Sequence, residues 1–259
     1  MLGWCKILVT ICFSVILLHV DAAEQTTSNI FRYELANAKS YFTSPLRFTP
    51  KQWGITAGVA AVTASSVLWV DEPVNRWVTK HQTPFANNAV VSDMSYIVAA
   101  ATFSGFALHG VLANSNKSIE TALTIVESVV FTAIVTQATK TLTGRSRPCQ
   151  TSSATCWNGV GGGHSFFSGH TAIAFATAAV VAHNYRQKPW VPIVAYSTAS
   201  LLSMHRIYSQ HHWTSDVVLG AAIGTASGIF FARCHQKNNF LVLPTAYRHN
   251  VGITLMCRL

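Results

Sequence analysis

The chain has 259 residues, half of them hydrophobic and only 10% charged, with 18 Lys and Arg against 9 Asp and Glu for a formal net charge of +9. A soluble domain usually carries about 25% charged residues, so this composition points to the membrane or to an unusually buried helical bundle. The basic residues are scattered, which argues against a nucleic-acid partner and suits an anionic lipid surface or a phosphate substrate.

In chain order, Lys6 precedes the apolar run Ile7–Leu18 and then His19-Val20-Asp21-Ala22-Ala23. That is the layout of an export signal, with an uncleaved N-terminal anchor as the other reading for residues 1–23. Residues 24–52 are polar and mixed and are expected to form an amphipathic lead-in or a loose arm. Six apolar stretches of helical length follow, Trp53–Val70, Met94–Asn114, Ile119–Thr139, Thr171–His183, Val191–Met204 and Val217–Ala232. None shows the period-two alternation of an exposed strand. They predict an all-α bundle of about six core helices over 53–235, embedded in or associated with a membrane. The first three reach the ~20 residues a spanning helix needs; the fourth and fifth are shorter. Glu127, inside the third, would have to face the bundle interior and find a partner there. The tail 236–259 is broken by Pro244, Asn250 and Gly252 and could form a short hairpin.

If all six stretches cross, the segments between them fall on two sides. Eleven Lys and Arg lie on one side and six on the other. The positive-inside rule then places 71–93, 140–170 and 205–216 outside the cytoplasm, facing a bacterial periplasm. A cleaved signal predicts the opposite orientation, so the two expectations conflict.

The chemistry-bearing residues lie at the ends of these stretches. Lys140 ends the third, and Gly144 and Pro148 stop the helix beside Arg147. Arg147 on that loop has a planar fork suited to two phosphate oxygens. The glycine-rich run Gly159–Gly163 leads into Ser168-Gly169-His170, immediately before a new apolar helix. Ser168 is placed as an N-cap, and the N–H groups of Gly169 and His170 would be available to an anion at the helix N-terminus. His212 and Asp216 are four apart, one face of a helix if both are helical, with Arg206 six residues before His212. A carboxylate on one ring nitrogen fixes the tautomer and leaves the other to attack phosphorus. His205 and His211 flank this patch and read as pocket walls or surface. Taken singly, each patch also fits an ordinary reading: solvated charges, a capped helix, a surface ion pair. A His/Asp metal site is disfavoured because no third ligand stands at metal spacing.

Lys-x6-Arg-Pro, then Ser-Gly-His, then Arg-x5-His-x3-Asp, in this order, resembles the type 2 phosphatidic acid phosphatase (PAP2) superfamily, which includes membrane lipid phosphatases, exported bacterial acid phosphatases and vanadium haloperoxidases. The resemblance covers roughly residues 53–235. It implies a helical bundle with all three motifs at one end. It also implies a hydrolase that needs no cofactor and no metal, acting on a phosphomonoester or diphosphate through a phosphohistidine. His212 would be the nucleophile, Asp216 its orienting group and His170 the general acid and base. Lys140, Arg147, Ser168, Gly169 and Arg206 would bind the phosphoryl group. Two positions depart from the family pattern: Phe167 stands where a Pro is usual, and His205 where a Ser is usual.

A phosphorylated lipid (phosphatidate, prenyl diphosphate or a lipid A-type phosphate) is the expected substrate and the membrane the expected partner. The alternative is a soluble exported acid phosphatase of broad specificity. A vanadate-dependent haloperoxidase and a non-enzymatic binder of phosphate or head groups are the lesser readings. An exported chain also permits disulfides, with Cys149–Cys156 the better candidate pair and Cys234–Cys257 its companion.

Overall fold

A computed structural model of the chain describes residues 35–82, 88–237, 240–247 and 250–257, with the backbone alone for Ala89 and from residue 236 onward. The expected signal or anchor at 1–23 lies outside the described residues. The described chain is all-α apart from one terminal ribbon. Helix α1 runs through 35–43. Then come α2 (Pro50–Ser65), a π-helical turn over Ser66–Val70, α3 (Asp71–His81), α4 (Ala89–Leu112), α5 (Asn116–Thr143), α6 (Gly169–Asn184), α7 (Trp190–Tyr208) and α8 (Thr214–Lys237). Each of the six apolar stretches falls on one of these helices or on a continuous pair of them, with Ala113 and Asn114 of the second stretch beyond the end of α4. The ribbon pairs β1 (Phe240–Tyr247) with β2 (Asn250–Cys257), antiparallel.

Local sequence sets the helix ends. Thr49 and Gln52 close a capping box on α2, with Pro50 at the first helical position. Asn88 accepts from Val90 and Val91 to start α4. Gly144, at φ 59°, ends α5 in the left-handed conformation that glycine adopts without strain. A Cβ there would also lie 1.8 Å from the Gly159 carbonyl oxygen.

Helix α6 is the core: thirteen of its sixteen residues are buried. Its Ala172 and Ala176 meet a glycine stripe on α8. A Cβ on Gly220, Gly224 or Gly228 would fall 2.7 Å from Ser168 O, 2.1 Å from Ala172 O and 2.5 Å from Ala176 O, respectively. The i, i+4 spacing of these glycines puts all three on one face, so the two backbones touch. Helix α5 buries hydroxyl residues, of which Thr121, Thr124, Ser128 and Thr136 bond back to their own helix carbonyls.

Among the described residues, four segments are long and apolar enough to cross a membrane: Pro50–His81, Val90–Leu112, Asn116–Thr143 and Thr214–His235. Their outer faces carry exposed Trp69, Leu68, Val111 and Leu112, the surface of a bundle solvated by lipid. Glu127 finds its partners inside, accepting from Asn37 Nδ2 at 2.9 Å and lying 2.6 Å from His235 Nε2. The expected lead-in is thus tied down from residue 37. Tyr41 stacks on Phe231 and reaches Ser227 Oγ at 2.6 Å.

Candidate active site

All three motifs meet at one end of the bundle. Lys140 is in the last turn of α5, and the Gly169 Cβ direction points to its Nζ at 4.0 Å. Arg147 begins a turn whose carbonyl takes the Gln150 and Thr151 N–H groups. Ser168 caps α6, accepting from Thr171 N at 3.4 Å and from Thr171 Oγ1 at 3.0 Å. His170 stands in the first turn of α6, Arg206 in the last turn of α7 and Asp216 in the first turn of α8.

The third motif differs from a single helical face. His212 precedes α8, in the turn after α7, where its N–H and that of His211 both point at the Arg206 carbonyl oxygen at 3.2 Å. Asp216 reaches back to accept from the Trp213 N–H at 3.0 Å, as the third residue of a capping box does. This turn brings His212 Nδ1 to 3.5 Å from Asp216 Oδ2. That is within ion-pair reach and longer than a formed hydrogen bond. The ring's other nitrogen, Nε2, is on the side away from Asp216.

Backbone bonds tie the motifs together. Ser168 N donates to Asp216 O at 3.1 Å, Cys149 N to Gln210 O at 3.3 Å and Trp213 Nε1 to Ser146 O at 2.9 Å. Gln210, at φ 53°, fixes the α7–α8 turn by donating to Asn75 and Thr79 on α3.

One residue of this end escapes a search for phosphate ligands. Arg145 is completely buried. It donates to Asp216 Oδ1 at 2.5 Å, Asp71 Oδ2 at 2.8 Å, Ser215 Oγ at 2.8 Å and the Ala154 carbonyl at 3.0 and 2.7 Å. Its guanidinium lies against the Trp157 and Trp213 rings, 4.9 and 5.4 Å from their centroids. Asp71, placed just after the π turn, in turn receives the Ser215 N–H and hydroxyl. Ser165 Oγ gives Asp216 Oδ2 a further bond at 2.5 Å. Two buried carboxylates and one arginine thus hold α3, α8 and the loop between α5 and α6 together. The signal for Arg145 was present in Gly144-Arg145-Ser146-Arg147, two arginines two apart, of which only the second has the look of a ligand.

The loop that carries Arg145 corrects one expectation. Cys149 and Cys156 are thiols, not a disulfide. Cys149 sits on the exposed turn after Arg147, while Cys156 Sγ faces Ser146 Oγ and Asn158 Oδ1 at 3.5 and 3.7 Å. The pairing of Ser146 N with Cys156 O and of Asn158 N with Gly144 O sets these directions. The companion pair involves the Cys257 side chain, outside the described residues. Phe167, at the position where a Pro is usual in the resembled family, is fully buried, and His205 lies one residue before Arg206 in α7.

The electrostatics of this end are those of an anion site. Arg206 is 1% exposed; its Nη1 donates to Ser92 O at 2.9 Å, while Nε and Nη2 are buried without a hydrogen-bond partner. Buried donors left in this way cost about 1–3 kcal/mol each. His170 Nε2 is buried in the same condition, 3.7 Å from Asp93 Oδ1 and with its ring 4.4 Å from that of Tyr96. Burial, reinforced by Arg206, His212 and Lys140, holds the His170 imidazole well below its ordinary range. Burial, then Lys140, Arg206 and Arg147, does the same to His212. His211 is pushed down to about 4 by burial, Arg206 and Arg147. Arg206 itself falls to about 10, through burial and the neighbouring Arg147. Positive groups that lower one another across a buried space are relieved by an anion between them. Among the described residues no cluster of three or more His, Cys, Asp or Glu is arranged to hold a metal ion.

With this geometry in place, the comparisons with known proteins are specific. Residues 121–240 match the family model of the PAP2 superfamily. A stretch of 66 residues is 42% identical to the lipid A 1-phosphatase of Porphyromonas gingivalis, covering 25% of this chain and 15% of that protein's length. The crystal structure of a transmembrane PAP2 type phosphatidylglycerolphosphate phosphatase from Bacillus subtilis aligns over 81% of this chain and 96% of its own, at 14% identity and a TM-score of 0.39. The matched residues 121–240 include every residue of the three motifs.

Proposed function

We propose that this chain is a membrane phosphatase that hydrolyses a phosphorylated lipid, without a metal, through a phosphohistidine on His212. The observation that carries the reading is the set of buried donors on Arg206 and His170 that lack partners, beside Lys140, Arg147 and a histidine backed by a carboxylate. A phosphoryl group supplies the acceptors these donors lack. The match to PAP2 sequence and the local likeness to a lipid A 1-phosphatase support the same reaction and a lipid substrate.

In the reaction, the His212 Nε2 lone pair forms the P–N bond as the P–O bond to the leaving group breaks in line with it. His170 gives its proton to the departing oxygen. Water then attacks phosphorus and passes a proton to His170, and the P–N electron pair returns to His212. Lys140, Arg147, Arg206 and the N-terminus of α6 at Gly169 and His170 hold the equatorial oxygens and stabilise the charge that develops there. Asp216 steadies the imidazolium character of His212 as the bond forms. The acid limb needs His170 protonated, and a bound phosphate dianion raises its lowered pKa toward that state. The site faces the side with fewer Lys and Arg, away from the cytoplasm.

The test is turnover by the detergent-solubilised full chain of phosphatidate, a prenyl diphosphate, a lipid A-type phosphate and p-nitrophenyl phosphate, with and without chelator. Hydrolysis of a lipid phosphate that persists in chelator and is lost in His212→Ala is the expected result. Chelator-sensitive turnover, or substantial turnover by a folded His212→Ala protein, contradicts it.

A further inference from the structure

An apolar groove of about 430 Å³ lies between α4, α6 and α7. Each of these helices places a groove residue one turn from a residue at the site. Ala174 is four after His170, Leu202 four before Arg206, and Ala99 three after Tyr96, whose ring packs on His170. Helical residues at these offsets share a face, so the groove leads away from the phosphate site along the bundle. Val194, one of its walls on α7, is more than half exposed, so the groove opens sideways on the bundle's apolar exterior.

The end of the groove away from the site is aromatic. Phe106 and Tyr185 line it and stack on each other with centroids 5.3 Å apart. Tyr185 is pinned in place, with its hydroxyl 3.4 Å from Ser118 Oγ and Lys117 Nζ 4.4 Å above its ring. Ala174 and Tyr185 are eleven residues apart on α6, or ~16 Å at 1.5 Å per residue. With C–C bonds of ~1.5 Å in zigzag, roughly a dozen methylenes fill that length. The walls are mostly apolar; their polar groups are threonine hydroxyls, of which Thr102 already bonds to Val98 O, and Tyr185 and Lys188 at the end away from the site.

We infer that the groove seats one hydrocarbon chain of the phosphorylated substrate and that the stacked Phe106–Tyr185 pair is its end wall, setting the longest chain that fits. The inference rests on the phosphatase reading for the ligand's polar end. It makes chain length a property of two residues far from the chemistry.

The test uses the detergent-solubilised full chain and a series of n-alkyl phosphates from octyl to octadecyl, with p-nitrophenyl phosphate as the ester that has no chain. The expected kcat/KM rises with chain length to a break and then levels or falls. In Phe106→Ala and Tyr185→Ala the break moves to longer chains, and the ratio of octadecyl to octyl turnover rises at least tenfold. In Ala178→Phe, which fills the groove, the ratio of dodecyl to p-nitrophenyl turnover falls at least tenfold. A second measurement needs no turnover: photolysis of hexadecyl phosphate with a terminal diazirine is expected to label the peptides carrying Phe106 or Tyr185. A chain-length profile identical in all variants, with labelling only outside the groove, overturns the inference, and p-nitrophenyl phosphate hydrolysis in that case leaves the phosphatase reading standing. Labelling at the end wall without hydrolysis of any ester supports the groove and removes the phosphatase reading instead.

Discussion

Arg145 illustrates how much of this site is arranged by a residue that touches no substrate. It is buried between Asp71 on α3 and Asp216 on α8, and Asp216 in turn faces His212. Removing one partner of a buried ion pair costs about 3–5 kcal/mol, because the remaining charge is stranded. Arg145→Ala is therefore expected to unfold well below the parent temperature in detergent, by a loss of that order, as read by thermal melts. Arg145→Lys keeps a charge but cannot address two carboxylates at once. It is expected to fold and to lose kcat more than KM, since His212 is then less well held. An unchanged kcat in folded Arg145→Lys counts against a positioning role. His170 gives a complementary prediction. As a general acid it matters most for a poor leaving group. His170→Asn is expected to lose at least 100-fold with an alkyl phosphate and much less with p-nitrophenyl phosphate, a dependence on the leaving group that equal losses on both esters would contradict.

The residue scale also shows what the sequence made legible. Lys140, Arg147, Ser168, His170, Arg206, His212 and Asp216 were all visible as motif residues, because spacing along helix ends is a local property. Arg145 was not, because its partner Asp71 is distant in sequence and the ion pair exists only once α3 crosses the site. The thiols at 149 and 156 were misread for the converse reason. Their separation permits a bridge, but both are free thiols, with Cys156 Sγ beside Ser146 Oγ and Asn158 Oδ1.

At the scale of elements, the six helices followed from apolar run length and from punctuation at Gly144, Pro148 and Ser168. The close contact of α6 with α8 also had a local sign, glycines at 220, 224 and 228. What it accomplishes was visible only in three dimensions: it sets Ser168 against the Asp216 carbonyl, and so the second motif against the third. Gly224→Val places methyl groups where a Cβ alone already meets Ala172 O at 2.1 Å. It is expected to push α8 off α6, lowering both the melting temperature and turnover. Gly58, on the exposed face of α2, has nothing within 4 Å of its Cβ direction. Gly58→Ala is expected to hold activity and to gain about 0.5–1 kcal/mol, through the lower entropy of the unfolded chain. Equal thermal shifts in the two variants would show that contact distance at Gly224 is not what matters.

For the whole molecule, the governing feature is polarity along the bundle. The site end gathers Lys140, Arg147, Arg206 and three histidines whose pKa values lie below the ordinary 6.5. Above pH ~6.5 these histidines are neutral folded and unfolded, and contribute no pH dependence. Below it the unfolded chain binds protons that the folded site resists, so stability falls as pH drops from 6.5 toward and beyond 4, the value to which His211 is lowered. The melting temperature of the protein without ligand is expected to decline over that range. Orthovanadate or phosphate, by drawing the histidines back toward their ordinary pKa, is expected to flatten the decline. The same anion is expected to stabilise the parent and not Arg206→Ala. A flat melting profile from pH 7 to 4 without ligand would contradict the buried, mutually repelling site.

The central claim is that His212 becomes phosphorylated. Rapid quenching of the enzyme with a ³²P-labelled lipid phosphate, followed by peptide mapping, tests it most directly. The account predicts an acid-labile, base-stable label on the peptide carrying His212 in the parent and, formed more slowly because the first step lacks its acid, in His170→Asn, and no label in folded His212→Ala. A label on another residue, or no covalent label in either His212-containing protein while substrate is being turned over, would contradict it.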